Sequence, residues 1–164
     1  MIMILDINDF IRVFPKYEEE FNTELMPLEN IINLPVFNIN TTRYCLYIHP
    51  GGSLIGFCRL KILPRTIIER RDCMTIEDLF IFSRWRNQGY CKKFLRKIIR
   101  HLPDLNIGCI ILSVLQDNLS AIKCYSANGF IRVNDSLLND RMNEYWAPYL
   151  YGDMFHLGFG LDES

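Results

Sequence analysis

Arg86-Asn87-Gln88-Gly89-Tyr90-Cys91 links an apolar run, Leu79-Phe80-Ile81-Phe82, to a strongly basic segment. The pattern reads as a strand, a tight polar loop and the N-terminus of a helix. Such a terminus offers unpaired N–H groups and a partial positive charge, which suits a pyrophosphate-like anion. Gly89 lets the backbone approach that anion closely. Residues 84–101 carry seven basic groups (Arg84, Arg86, Lys92, Lys93, Arg96, Lys97, Arg100) and no acid, which adds longer-range attraction. Downstream, Asn118, Ala121 and Tyr125 are spaced by three and four residues, so a helix would place them on one face lining a groove. A tyrosine there, with a pKa of ~10, stays protonated near neutral pH and can donate to a departing group. Each feature also has a plain reading: a loop glycine, a solvated or nucleic-acid-binding basic helix, a core tyrosine.

Candidate proton acceptors come from a third place. Glu77 and Asp78 sit inside a strand-like run, Met74–Phe82, where charge is unfavourable unless paired or used. Strict alternation puts Thr75, Glu77, Leu79 and Ile81 on one face and Ile76, Asp78, Phe80 and Phe82 on the other. Both carboxylates read equally well as the wet start of the strand. His156, on a late strand, is a further candidate base. His49 belongs to a turn and His101 to a helix C-terminus.

The elements that must position these groups follow from periodicity and turn chemistry. Ile2–Leu5 reads as a strand, Asp6–Phe21 as a helix interrupted at Pro15, and Leu28–Leu34 as a short helix. Tyr44–Ile48 and Leu54–Ile62 form a hairpin through His49-Pro50-Gly51-Gly52-Ser53. Gly89–His101 is a helix, Cys109–Leu115 a strand buried on both faces, and Asp117–Asn128 a helix with Asp117 as N-cap and Gly129 as its stop. Phe130–Val133 and Tyr149–Phe159 are final strands separated by a polar, aromatic loop. The order is α/β or α+β, with a mixed sheet.

With 164 residues, the chain suits one domain over residues 1–164. It has no repeat, no CxxC pair and no zinc spacing, so no metal is expected. The six cysteines read as free thiols in a reducing compartment. No apolar stretch approaches ~20 residues, and acidic residues follow Met1–Leu5, so neither a membrane span nor a signal peptide is expected. The expected location is cytoplasmic, or nuclear where the host has a nucleus. Residues 1–40 and 134–164 each carry a net charge of −5 around the cationic middle. One anionic and one cationic ligand fit that asymmetry. The acidic ends, and the lack of an aromatic-basic stacking surface, argue against a nucleic-acid partner.

Arg86-x-x-Gly89-x-Cys91 resembles the Q/R-x-x-G-x-G/A pyrophosphate loop of the GNAT superfamily of acetyl-CoA-dependent N-acetyltransferases. Leu112-x-Val114-x(3)-Asn118-x(2)-Ala121-x(3)-Tyr125-x(3)-Gly129-Phe130 is similar to that family's following strand and helix at every position of its pattern. Cys91 departs from the family's Gly or Ala. The resemblance implies a GNAT-like fold: a central mixed, mostly antiparallel sheet flanked by helices on both faces. It implies acetyl-CoA as co-substrate, bound by Leu79, Phe80, Ile81, Arg86, Asn87, Gln88, Gly89, Tyr90, Cys91 and Asn118. It makes Tyr125 the general acid and Glu77 the base, with Asp78 or His156 as alternatives, and direct transfer to a primary amine. The acidic ends favour a cationic acceptor (a protein lysine, an N-terminus or a polyamine) seated between the early helices and the 134–148 segment. Ile76-Glu77-Asp78 is also similar to the strand of glucosamine-phosphate acetyltransferases. A non-catalytic module binding coenzyme A or a partner is the other alternative, and a monomer or homodimer is expected.

Overall fold

The computed structural model describes residues 1–34, 41–147 and 153–161. Among them, seven strands form one sheet in the order β1-β2-β3-β4-β5-β7-β6. They are β1 (Ile2–Leu5), β2 (Thr42–Ile48), β3 (Leu54–Ile62), β4 (Cys73–Ile81), β5 (Cys109–Leu115), β6 (Ile131–Arg132) and β7 (Met154–Phe159). The helices are α1 (Ile7–Val13), α2 (Glu18–Glu24), α3 (Leu28–Ile32), α4 (Tyr90–Arg100), α5 (Leu119–Ala127) and α6 (Ser136–Trp146). Every neighbouring pair is antiparallel except β4–β5, which α4 connects as a parallel crossover. The expected mixed, mostly antiparallel sheet is therefore present.

Helices cover both faces. On one, Phe94, Leu95 and Ile98 of α4 and Cys124 and Tyr125 of α5 pack on Cys45, Leu60, Met74, Ile76, Ile110 and Leu112. On the other, α1, α2 and the turn between them bring Phe10, Phe21 and Phe14 against Tyr44, Phe57 and Phe82. Farther along that second face, Leu138 and Met142 of α6 pack on Cys73, Cys109 and Ile111. The Asp6 side chain caps α1 by accepting from the Asp9 N–H at 2.8 Å. Pro15 turns the chain through a short 3-10 segment, Phe14–Tyr17, giving two helices as expected from its missing donor.

Three expectations need correction. Residues 136–146 form α6 and not a loop; Asp135 caps it by accepting from the Leu138 N–H at 3.0 Å, and Leu138 and Met142 supply one apolar stripe. The N-cap of α5 is Asn118 rather than Asp117. Cys73 and Cys109, adjacent on the parallel strands, are joined as a disulfide, so only Cys45, Cys58, Cys91 and Cys124 are free thiols. The last strand begins at Met154, and Tyr149 lies outside the described residues. Among the described residues no helix is long and apolar enough to cross a membrane.

Phe10 is fully buried, with its ring stacked on Tyr44 at 4.6 Å and close to Phe14, Phe21 and Phe57. Phe10→Ala should therefore lower the unfolding free energy by about 3–5 kcal/mol, read as a drop in urea midpoint at constant slope.

Candidate active site

β4 and β5 pair only at Cys73↔Cys109 and Met74↔Ile110, and beyond that point no ladder joins them. The cause lies on the other edge of β4. Against β3 the register runs Gly56↔Ile81 and Phe57↔Phe80, then resumes at Arg59↔Glu77, so Asp78 and Leu79 together oppose Cys58. This is a β-bulge, with Asp78 in the left-handed region at φ 56°. Its carboxylate accepts from Arg59 Nε at 2.7 Å, which helps hold a conformation that Asp tolerates better than most residues. A bulge bends its strand, so β4 leaves β5 and opens a cleft in the sheet.

The bulge also overturns the expected alternation. Leu79 and Ile81 pack on the α4/α5 face, whereas Phe80 and Phe82 lie on the α1/α2 face. Glu77 shares that second face, and so it is separated from Leu79 and Ile81.

The polar loop follows β4 directly. Ser83–Trp85 form a 3-10 turn, Asn87 and Gly89 take positive φ of 59° and 79°, and α4 begins at Tyr90. The Lys93 N–H bonds the Gly89 carbonyl at 3.1 Å and starts the helical ladder, which leaves the preceding N–H groups of the first turn directed out of the helix end. A Cβ added to Gly89 would meet nothing within 4 Å, so the space beside these donors is open. The predicted loop side chains mostly brace the loop. Arg86 Nε donates to the Ile81 carbonyl at 2.8 Å with its guanidinium over the Phe80 ring, and Gln88 Nε2 donates to the Arg84 carbonyl at 3.0 Å. Asn118 Oδ1 accepts from the Ala121 N–H at 3.3 Å and so caps α5.

Tyr125 is 8% exposed, lying among the residues of the α4/α5 core with its ring 6.0 Å from Phe130. Burial, reinforced by the thiols of Cys91, Cys124 and Cys58, pushes its phenol above the usual tyrosine value. It is therefore a proton donor at neutral pH.

Glu77 is the hub of a buried network on the opposite face. Lys61 Nζ and Arg59 Nη2 pair with its Oε2 at 2.5 and 3.2 Å. The Tyr145 hydroxyl accepts from Lys61 Nζ at 2.7 Å and donates to Glu77 Oε1 at 3.3 Å. Burial raises the Glu77 pKa against the opposing pull of Lys61 and Arg59, and burial lowers that of Lys61 against the pull of Glu77. Nearby, Ser113 Oγ lies 2.8 Å from His156 Nδ1, and His156 Nε2 lies 2.6 Å from Asn143 Oδ1. With the Nε2–H tautomer, His156 donates to Asn143 and accepts from Ser113. His49 stacks on Trp85 at 4.9 Å and takes the Gly51 N–H within its turn; His101 Nδ1 contacts the Lys97 carbonyl at the end of α4.

The structure thus places the loop and the α4 terminus directly after β4, with Leu79, Ile81 and Tyr125 in the α4/α5 core. Asp78 is turned to Arg59. Arg59, Lys61, Asn143 and Tyr145 were not among the expected site residues. Two of them had a signal: Arg59 and Lys61 are alternate cations in an otherwise apolar strand, which calls for buried anionic partners.

Comparison with known proteins agrees with this geometry. The sequence pattern of the acetyltransferase (GNAT) family matches residues 7–130, and the chain belongs to that family. A Bacillus subtilis spermine/spermidine N(1)-acetyltransferase is 28% identical over 99 residues, 56% of this chain and 65% of that protein. The match thus spans less than two thirds of that relative's length. The spermidine N-acetyltransferase from Vibrio cholerae, solved with CoA and spermine, superposes with a TM-score of 0.61 at 16% identity, covering 97% and 94% of the two chains. A GNAT-family acetyltransferase from Staphylococcus aureus Mu50 gives 0.60 at 21% identity, covering 99% and 100%. At these identities the superpositions establish the fold.

The buried imidazole sets one pH dependence. Burial, and secondarily the Arg132 charge, lower the His156 pKa, so the unfolded chain binds this proton more readily than the folded one. The stability from this group is complete above the unfolded value, about 6.5, and is lost as pH falls below it. Between about pH 7 and pH 5 the urea midpoint should fall for the wild type and fall less for His156→Gln; equal slopes would contradict the assignment.

Proposed function

We propose that this chain transfers the acetyl group of acetyl-CoA to a cationic primary amine, with polyamines as the favoured acceptor class. The observation that carries the reading is the cleft where β4 parts from β5 after Met74 and Ile110; the α4 N-terminus after Gly89 and the protonated phenol of Tyr125 would flank the bound thioester. The first-turn N–H groups of α4 and the basic residues around them would hold the pyrophosphate, while exposed backbone of the bulged Leu79–Ile81 stretch would bond the pantetheine and acetyl groups. Cys91 and Asn118 would contribute by packing and by fixing the α5 terminus.

An ammonium group must lose a proton before it can attack the thioester carbonyl, and Glu77 is assigned as the acceptor of that proton. Its burial raises its basicity, and Lys61, Arg59 and Tyr145 hold it in place. Collapse of the tetrahedral adduct expels the thiolate, and Tyr125 gives it a proton. The acidic early helices, with Glu18, Glu19, Glu20 and Glu24, favour a cationic acceptor. So do the substrates named for the Bacillus subtilis and Vibrio cholerae proteins.

Thiol release from acetyl-CoA should be fastest with spermidine or spermine and should slow as salt screens the acidic surface. A preference for glucosamine 6-phosphate or a neutral amine would overturn the acceptor assignment. Tyr125→Phe keeps the ring and should slow the chemical step by about 10²–10⁴-fold with acetyl-CoA affinity unchanged. Glu77→Gln should recover rate as pH rises and the amine deprotonates unaided; a wild-type pH profile would remove Glu77 as the base.

A further inference from the structure

The six cysteines of the chain come together as three pairs. Cys73 and Cys109 form the disulfide at the closed end of the cleft, and Cys45 and Cys58 face each other across β2 and β3. Cys91, in the first turn of α4, and Cys124, in α5, bring their sulfurs to 2.6 Å. We propose that Cys91 and Cys124 are a redox modification site, forming a reversible disulfide that ties α4 to α5 through exchange with a low-molecular-weight disulfide such as oxidised glutathione.

The geometry needs little adjustment, because a disulfide bond is about 2.05 Å long and closing it moves the sulfurs by roughly half an ångström. The two thiols are also unequal in a useful way. Cys91 is partly exposed, stands at the positive end of α4 and precedes Lys92 and Lys93, the setting that favours a thiolate. The hydrogen bond between the two sulfurs lowers the Cys91 pKa further, while the same bond and burial raise that of Cys124. Cys124 is 8% exposed and sits against the attacking sulfur, as a resolving thiol should.

The order of events follows. The Cys91 thiolate attacks one sulfur of the small disulfide, forms a mixed disulfide and releases one small thiolate. Cys124 then loses its proton to solvent and attacks the Cys91 sulfur, breaking the mixed disulfide and releasing the second thiolate. Both thiolates take up protons. Two protein thiols are oxidised to one disulfide as one small disulfide is reduced to two thiols. The resulting bond closes a loop spanning 33 residues. Because the helices already meet at these sulfurs, the oxidised chain keeps its fold and becomes harder to unfold.

The test uses the full chain and no acetyl-CoA, so it is independent of the acetyl-transfer reading. Protein treated with oxidised glutathione, or with dithiothreitol, is alkylated and digested with trypsin, which isolates Cys91 in residues 87–92 and Cys124 in residues 124–132. The oxidised sample should show these peptides cross-linked and protected, reversibly with dithiothreitol. Its Tm should rise by about 5–10 °C relative to identically treated Cys124→Ser. In Cys124→Ser, Cys91 should stop as the glutathione mixed disulfide; in Cys91→Ser, Cys124 should take up little. Alkylation of both thiols in the oxidised wild type, an unmodified Cys91 in Cys124→Ser, or a cross-linked chain that melts no higher would each overturn the proposal.

Discussion

Parallel strands remain in one sheet only while their backbones stay about 4.8 Å apart, and β4 and β5 keep that spacing for two residue pairs before giving it up. The rest of the site depends on this separation. It is produced on the far edge of β4, where two residues oppose one and Asp78 adopts a left-handed conformation held by Arg59. It is anchored at its origin by the Cys73–Cys109 bond. Gly56 makes the bulged pairing tight: a Cβ there would lie 2.9 Å from the Phe80 carbonyl oxygen and 3.0 Å from Phe94. The same bulge turns Leu79 and Ile81 toward α4 and α5.

The two faces of the sheet carry different charged features. On one, the α4 N-terminus follows Gly89, where an added Cβ would meet nothing within 4 Å, a feature suited to an anion. On the other, the charge of buried Glu77 is stabilised by Lys61, Arg59 and Tyr145. Removing Glu77 would take the counter-charge from the buried Lys61, which is more damaging than the pair is stabilising. α6 binds this arrangement to the last strand, because Tyr145 reaches Glu77 while Asn143, two residues earlier, reaches His156.

Local features were legible in the sequence and long-range register was not. The loop from Arg86 to Cys91 and the α4 and α5 helices follow from spacings within a few residues, whereas Asn118, expected on the helix face of Tyr125, caps α5 instead. The bulge left no trace, because Leu79, Phe80, Ile81 and Phe82 are all apolar and satisfy either alternation. α6 was hidden because its buried stripe is only Leu138 and Met142, within a segment rich in Asn, Asp and aromatic residues. The pairing of Cys73 with Cys109, and of Arg59 with Glu77, depends on cross-strand register that no local pattern specifies.

The central claim is that the cleft between β4 and β5, capped by the Gly89 turn, is an acetyl-CoA site. Calorimetric titration of the full chain with acetyl-CoA, beside Gly89→Val, tests it most directly. Gly89 has a φ of 79°, so valine would strain the turn as well as fill the open space beside it. The account predicts a single saturable site in the wild type and at least about tenfold weaker binding in a folded variant, the loss of roughly 1.4 kcal/mol or more of binding free energy. No heat at millimolar acetyl-CoA, or equal affinity in the two proteins, would contradict it.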